Sequence, residues 1–288
     1  MKRQKIHYNL INMIVILGAL VCFVYEYKNV GAIFQNETVF KVLIVFVTAI
    51  IVHAVKAGRL YLALYGSEIS VLSYLKTYCK VTPVGLVFPY KLGEFFRMYC
   101  YGKQMGNILK GIIIILLDRF MDTMALVTMI LFICFMEKGS ILPFTYVLLL
   151  FLIFTILAYY VFPGVYDFWK KFFLKSKATE RRLSVLRILD TLNRIYQEIK
   201  GVTKGRGMIL YIMSLVAWIA EIGSIAVLNR LSREKDLNQM ISGYLTSALS
   251  GEKTMELMRF IFVSVILMIS TYVVIKMVEV MTRKREYR

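Results

Sequence analysis

Long apolar segments constrain the fold of this chain more than any other feature of its sequence. Hydrophobic residues make up 59% of its 288 residues, a larger share than soluble globular domains have. A helix needs about 20 apolar residues to cross the hydrocarbon core of a bilayer. Six segments have that length and predict transmembrane helices: 8–27, 39–60, 110–136, 141–162, 208–230 and 259–281. We therefore predict an all-α, polytopic membrane protein with one integral membrane domain over 1–288.

Basic residues predict the orientation, because loops rich in Lys and Arg stay on the cytoplasmic side. They precede the first span, follow the last one and fill 163–207, where eleven of them accompany four acidic residues. Six spans then place both termini in the cytoplasm, in a plasma (inner) membrane. The N-terminal apolar run shows no cleavage pattern, so we expect an uncleaved first span. The net charge of +18 is expected to face anionic lipid rather than nucleic acid.

The basic segment 163–207 separates a first half, 1–162, from a second half, 208–288. Between 180 and 200 apolar residues recur at spacings of three and four, which predicts an amphipathic helix. Two roles remain open for it from the sequence. It connects the two halves and packs under the helix bundle, or it forms a docking surface at the membrane.

Two intervals, 61–109 and 231–258, are too polar for simple spans and too long for simple turns. The first contains Pro83 and Pro89, two of the four prolines in the chain. Proline removes a backbone donor and clashes with the preceding helical turn. We therefore predict a helix, a break and a second helix that together form a re-entrant hairpin. Gly93, beside the break, is expected to allow close approach to the third span.

The second interval contains short echoes of the first. SYLKTYCK at 73–80 is similar to GYLTSALS at 243–250, and GEFFR at 93–97 is similar to GEKTMELMR at 251–259. In the predicted topology the two intervals open to opposite sides, which gives a second broken hairpin and an inverted repeat. Secondary transporters often place their binding site where two such broken helices meet. The second copy has no proline, and chance similarity is the alternative explanation.

Charged residues in the third span impose a large energetic cost. Each of Asp118, Arg119 and Asp122 would cost about 2.5–3.5 kcal/mol if it were unpaired at the centre of a transmembrane helix. Glu94 and Arg97 share a helical face and are the expected partners. Arg97 would pair with Asp118 or Asp122, and Glu94 with Arg119. This network either only holds the helices together or also binds phosphate, because a guanidinium group matches phosphate oxygens.

Lys91 is a further candidate for the pocket network, and Arg59 and Glu221 are secondary candidates. Glu221, in the fifth span, is expected to pair with Lys56 or Arg59 or to be protonated. Lys91, in the predicted break, adds a cation near the network. The chain has four cysteines and two histidines without metal-binding spacing, so we expect no metal and no cofactor.

Three stretches together resemble the flippase-like transmembrane region of the lysylphosphatidylglycerol synthase family. They are V-K-A-G-R-L-Y-L-A-L-Y-G at 55–66, P-Y-K-L-G-E-F-F-R at 89–97 and D-R-F-M-D at 118–122. The resemblance implies a membrane protein that moves, or helps to move, a lipid such as phosphatidylglycerol between leaflets. The signature positions that it implies are Pro89, Gly93, Glu94, Arg97, Asp118, Arg119 and Asp122. Full-length synthases add a soluble lysyltransferase domain. This chain ends a few residues after its last predicted span, so we expect a stand-alone member without it.

The sequence leaves two functions open. The first is a flippase or translocase that binds the anionic headgroup of a phospholipid or a lipid-linked substrate in a polar intramembrane pocket. The second is a non-catalytic subunit that anchors or regulates a cell-envelope glycosyltransferase or aminoacyltransferase. Enzymatic activity is not expected. Asp118 and Asp122 lie on one helix beside an arginine, whereas carboxylate dyads that share a proton usually come from two elements.

Overall fold

All regular elements in the described part of the protein are helices. The computed structural model describes residues 2–35, 38–88, 92–137, 143–175, 180–232, 241, 244 and 255–286. The helices are α1 (Lys2–Glu26), α2 (Val30–Phe34), α3 (Val39–Ala63), α4 (Val71–Val87), α5 (Gly93–Gln104), α6 (Ile108–Glu137), α7 (Pro143–Leu174), α8 (Glu180–Thr203), α9 (Gly207–Ser232) and α10 (Met255–Glu286). The predicted all-α class is thereby confirmed.

Five helices are long and apolar enough to cross a membrane, as a polytopic protein requires. The qualifying segments are Tyr8–Glu26, Val39–Ala63, Thr145–Leu174, Gly207–Leu228 and Met255–Met281. The remaining predicted span is α6, a helix of 30 residues. Its three central charges, Asp118, Arg119 and Asp122, distinguish it from the other five.

The interval between α3 and α6 folds as the predicted broken hairpin. α4 ends at Val87 and α5 begins at Gly93, so the break surrounds Pro89, which lies outside the described residues. The Gln104 side chain at the end of α5 donates to the Ser73 hydroxyl at the start of α4 over 2.7 Å. Both ends of the hairpin therefore lie at the same level, as a re-entrant element requires.

The prediction that Pro83 breaks the helix is wrong, because Pro83 lies inside α4. A proline removes only one backbone donor, and the helix continues for four residues beyond it. The second predicted hairpin, in 231–258, falls mostly outside the described residues. The inverted repeat therefore stays a prediction.

Two glycine contacts hold α4, α5 and α6 together. Gly93 lies against α4 rather than against the third span as predicted, because a Cβ at this position would be 2.5 Å from the Cα of Gly85. The close approach to α6 is made instead by Gly102. A Cβ on Gly111 would lie 2.5 Å from the Gly102 Cα. With no side chain at these crossings, the backbones touch, and this fixes the position of the charged residues on α5.

Replacing Gly111 by alanine is expected to lower the free energy of unfolding by about 1–3 kcal/mol, because the new methyl group would force α5 and α6 apart. The matched control is Gly223→Ala in α9, where no described atom lies within 4 Å of the added Cβ. That change should leave the melting temperature unchanged or slightly higher, since alanine favours helix. Thermal unfolding in detergent compares the two variants. Equal melting temperatures would contradict the close helix crossing.

The predicted amphipathic helix is present as α8 and packs partly on α7. The Tyr196 ring lies 5.1 Å from that of Tyr159, centroid to centroid, and the Tyr166 hydroxyl donates to Asp190 over 3.0 Å. Ile188 and Leu192 remain exposed near the middle of the helix. α8 therefore packs on α7 and also presents an uncovered apolar surface.

The largest core cluster lies around the hairpin. It combines buried side chains from α3 to α6, such as Leu60, Tyr74, Tyr101 and Ile114, with residues of α9 and α10. This packing surrounds the charged residues of α3, α5 and α6 with apolar side chains. Any unpaired charge there would be costly.

Candidate functional site

Arg59 on α3 is the centre of a buried network of charges. Its side chain is only 1% exposed. Its Nε donates to Asp118 Oδ1 over 2.8 Å, and its Nη1 donates to Asp122 Oδ1 over 2.7 Å and to the Ser214 hydroxyl over 2.6 Å. The two aspartates lie one turn apart on α6, so one guanidinium group reaches both. These bonds join α3, α6 and α9.

Arg97 and Arg119 form a looser layer beside this centre. Arg97 Nη1 lies 3.6 Å from Glu94 Oε2 and 3.7 Å from Asp118 Oδ2. Arg119 nitrogens lie 3.5 Å from Glu94, 3.3 Å from Asp118 and 3.8 Å from Asp122. All five distances exceed the ~2.7–2.9 Å of a charge-assisted hydrogen bond. The loose layer is therefore held mainly by charge, not by short hydrogen bonds.

Several buried atoms of the network have no hydrogen-bond partner among the described residues. They include Arg97 Nε, Arg119 Nε and Glu94 Oε2, all in the loose layer, and Arg59 Nη2. A buried polar group without a partner costs about 1–3 kcal/mol. These guanidinium groups are therefore available to an additional oxygen acceptor. The Arg119 side chain is 32% exposed, so an acceptor can reach the loose layer from that side.

The network is electrically balanced. It contains three arginines and three carboxylates, namely Arg59, Arg97, Arg119, Glu94, Asp118 and Asp122. Because its charges balance, the network can be buried among apolar side chains, where an unpaired charge would be strongly destabilising. An anion that enters must displace a carboxylate from an arginine. That exchange is easiest in the loose layer, where the existing contacts are weakest.

A second polar cluster lies one turn before Arg59 on α3. Lys56 Nζ contacts Glu221 Oε1 of α9 at 2.7 Å, and the Tyr244 hydroxyl donates to Glu221 Oε2 over 2.9 Å. Of the two partners predicted for Glu221, the structure therefore shows Lys56. The Trp218 indole links the clusters, since its Nε1 donates to the backbone oxygen of Asp122 over 3.3 Å and its ring lies 5.6 Å from Lys56 Nζ.

Comparison with protein-family models finds one match, the lysylphosphatidylglycerol synthase transmembrane region, over residues 10–232. The matched range is more than half of the chain and contains every charged residue of both clusters. The chain belongs to the lysylphosphatidylglycerol synthase transmembrane-region family. This is a membrane family linked to lipid or cell-envelope modification. No curated protein and no solved structure matches the chain.

In this lysylphosphatidylglycerol synthase family member, the structure brings five predicted site residues together: Glu94, Arg97, Asp118, Arg119 and Asp122. Lys91 and Pro89 lie outside the described residues. From the sequence, Arg59 is only a secondary candidate for the site, and Ser214 and Tyr244 are not candidates. The sequence does point to Arg59, because it shares a helix face with Lys56 in a mostly apolar span. No sequence pattern singles out Ser214 or Tyr244.

Proposed function

We propose that this protein is a translocase-like member of its family that binds an anionic lipid headgroup at the loose layer of the network. One observation carries the proposal. Arg59 holds Asp118 at 2.8 Å and Asp122 at 2.7 Å, whereas Arg97 and Arg119 contact their carboxylates only at 3.3–3.8 Å. The tight contacts are suited to maintaining the fold. The loose ones leave arginine donors for a ligand.

A lipid phosphate is the ligand chemistry that suits this layer best. A guanidinium group offers parallel N–H donors in a plane that matches two phosphate oxygens. The Nε atoms of Arg97 and Arg119 both lack a hydrogen bond in the described part of the chain, although Arg119 Nε lies 3.5 Å from Glu94 Oε2. A phosphate that takes these donors would weaken the hold of both arginines on Glu94.

Glu94 would then transmit headgroup binding to the hairpin. Glu94 and Arg97 lie in the first turns of α5, directly after the break between α4 and α5. A change in their pairing therefore acts on the hairpin close to the point where α5 begins. In the proposed mechanism, the hairpin shifts as the headgroup moves, and the two halves 1–162 and 208–288 rock around it as in transporters with repeats.

The proposal includes a location. The protein would lie in the plasma membrane with both termini in the cytoplasm, which is supported by the eleven Lys and Arg residues of 163–207. The alternative function, a subunit that anchors an envelope transferase, is supported by the exposed apolar side of α8 at Ile188 and Leu192. Translocation by the purified protein alone would exclude a purely regulatory role.

Translocation of a fluorescent phosphatidylglycerol analogue in proteoliposomes tests the proposed function. Arg119→Gln is expected to lower the rate by about tenfold or more, because it removes charge-assisted hydrogen bonds to the headgroup. The variant should still fold, since Arg119 is the most exposed arginine of the network.

The matched control is Lys76→Gln. Lys76 pairs with Glu279 at 2.5 Å, is 33% exposed and lies outside the network. The Lys76→Gln variant should translocate lipid at the wild-type rate. Wild-type translocation by folded Arg119→Gln would contradict the headgroup site, and an equal loss in both variants would show that the effect is not specific to the network.

A further inference from the structure

Lys80 on α4 points away from the charged network, to the other side of the hairpin. Tyr78, two residues earlier, faces the network, since its ring lies 5.8 Å from the Arg97 guanidinium carbon. Residues two apart on a helix point in nearly opposite directions, about 200° apart. Lys80 accordingly contacts α1 and the outer face of α5. Its Nζ donates to the Tyr8 hydroxyl over 3.2 Å and lies 5.7 Å from the Phe96 ring centroid.

The positive charge of Lys80 has no carboxylate beside it in the described part of the chain. Lys56 and Lys76 each contact a glutamate, at 2.7 and 2.5 Å, and the three arginines of the network share three carboxylates. In the described part of the chain, Lys80 contacts a hydroxyl group, the Cys100 thiol and two aromatic rings, none of which carries a full negative charge. It is half-buried, so water screens its charge less than that of an exposed lysine.

Two further donors lie beside Lys80. The Tyr8 hydroxyl accepts from Lys80, and its own proton is directed to the Cys100 sulfur, a weak acceptor that a phosphate oxygen can replace. The thiol of Cys100 donates to Asn12 Oδ1 over 3.6 Å, so the amide nitrogen of Asn12 remains a donor without a partner among the described residues. Ammonium, hydroxyl and amide donors on one side of the hairpin are the groups that bind phosphate oxygens.

The position of these donors suits a lipid headgroup. Tyr8 begins the first span predicted from the sequence, 8–27, so the donors are expected near the end of a span, where headgroups meet the hydrocarbon core. The Tyr8 and Phe96 rings provide apolar surface next to the charged donor.

We propose that Lys80, Tyr8 and Asn12 form a phosphate site between α1 and the hairpin, separate from the charged network. Its ligand is a phosphate group, carried by an anionic phospholipid or present as free inorganic phosphate. A lipid phosphate bound there would contact α1 and the hairpin at the same time. It would thereby hold the hairpin from the side opposite to Arg97.

The full-length protein in detergent tests this site. Its melting temperature is measured while short-chain phosphatidylglycerol, or in a second series inorganic phosphate, is titrated. Lys80→Gln is expected to weaken the apparent affinity by about tenfold, because it removes a charge-assisted hydrogen bond. The control is Lys76→Gln, one turn earlier on α4, whose lysine already pairs with Glu279.

Each result decides the proposal. Stabilisation by phosphatidylglycerol that depends on Lys80 supports the site and assigns it to lipid. Stabilisation by inorganic phosphate that depends on Lys80 also supports it and assigns free phosphate as a source. Equal affinity in wild type and Lys80→Gln overturns it, as does an equal loss in Lys76→Gln. Because Arg119→Gln alters only the network, Lys80-dependent binding that persists in that variant separates this site from the proposed function.

Discussion

Replacing Arg59 by methionine is expected to lower the free energy of unfolding by about 3–5 kcal/mol, the range for breaking a buried ion pair. The change leaves Asp118, which is almost fully buried, without its 2.8 Å partner and Asp122 without its 2.7 Å partner. Arg97 and Arg119 lie more than 3 Å from these carboxylates and do not replace short hydrogen bonds. Thermal unfolding in detergent measures the loss.

Two comparisons make this expectation specific. Lys76→Met, which breaks a half-exposed pair, should cost no more than about 1 kcal/mol. The double variant Arg59→Met with Asp118→Asn should recover much of the loss, because it removes the uncompensated charge. A melting temperature for Arg59→Met equal to that of Lys76→Met would contradict the central place of Arg59.

Breaking the second cluster is expected to have the next largest effect. Lys56→Met should lower the free energy of unfolding by about 3 kcal/mol, the lower end for buried pairs. The lower end applies because the Lys56 side chain is 21% exposed. The loss arises because, of the described residues, only the Tyr244 hydroxyl then remains as a partner for the Glu221 charge. The variant Glu221→Leu should cost a similar amount, since it leaves the ammonium group of Lys56 uncompensated.

The double variant of Lys56 and Glu221 measures their coupling. If the pair acts as a unit, the double variant should be more stable than the sum of the two single losses predicts, by about 1–3 kcal/mol. Guanidinium- or heat-induced unfolding of the four proteins completes the cycle. Strictly additive losses would show that Lys56 and Glu221 stabilise the protein independently, against the 2.7 Å contact between them.

Much of the fold is predictable because it depends on local properties of the sequence. Helix length and apolar composition determine which segments can cross a bilayer, and they predict α1, α3, α7, α9 and α10. The cost of charges inside α6 predicts that partners must exist, and the hairpin supplies two of them, Glu94 and Arg97. Both arguments use energies that do not depend on the three-dimensional arrangement.

Some contacts could not be predicted from the sequence, because they depend on which helices become neighbours. Gly93 packs on Gly85 of α4 because the hairpin folds back on itself, whereas the sequence suggested contact with α6. Arg59 binds both aspartates because the end of α3 lies against α6 and α9. Spacing along one helix shows which residues share a face but does not show which helix that face meets.

A high-resolution structure of the protein in nanodiscs that contain phosphatidylglycerol tests whether the loose layer binds a headgroup. We expect a lipid phosphate there, with oxygens at hydrogen-bond distance, roughly 2.7–3.2 Å, from guanidinium nitrogens of Arg97 or Arg119. We also expect Arg59 to keep its hydrogen bonds to both aspartates. Arg97 and Arg119 in contact only with Glu94, Asp118 and Asp122, while lipid phosphates are resolved elsewhere on the protein, would contradict the headgroup site.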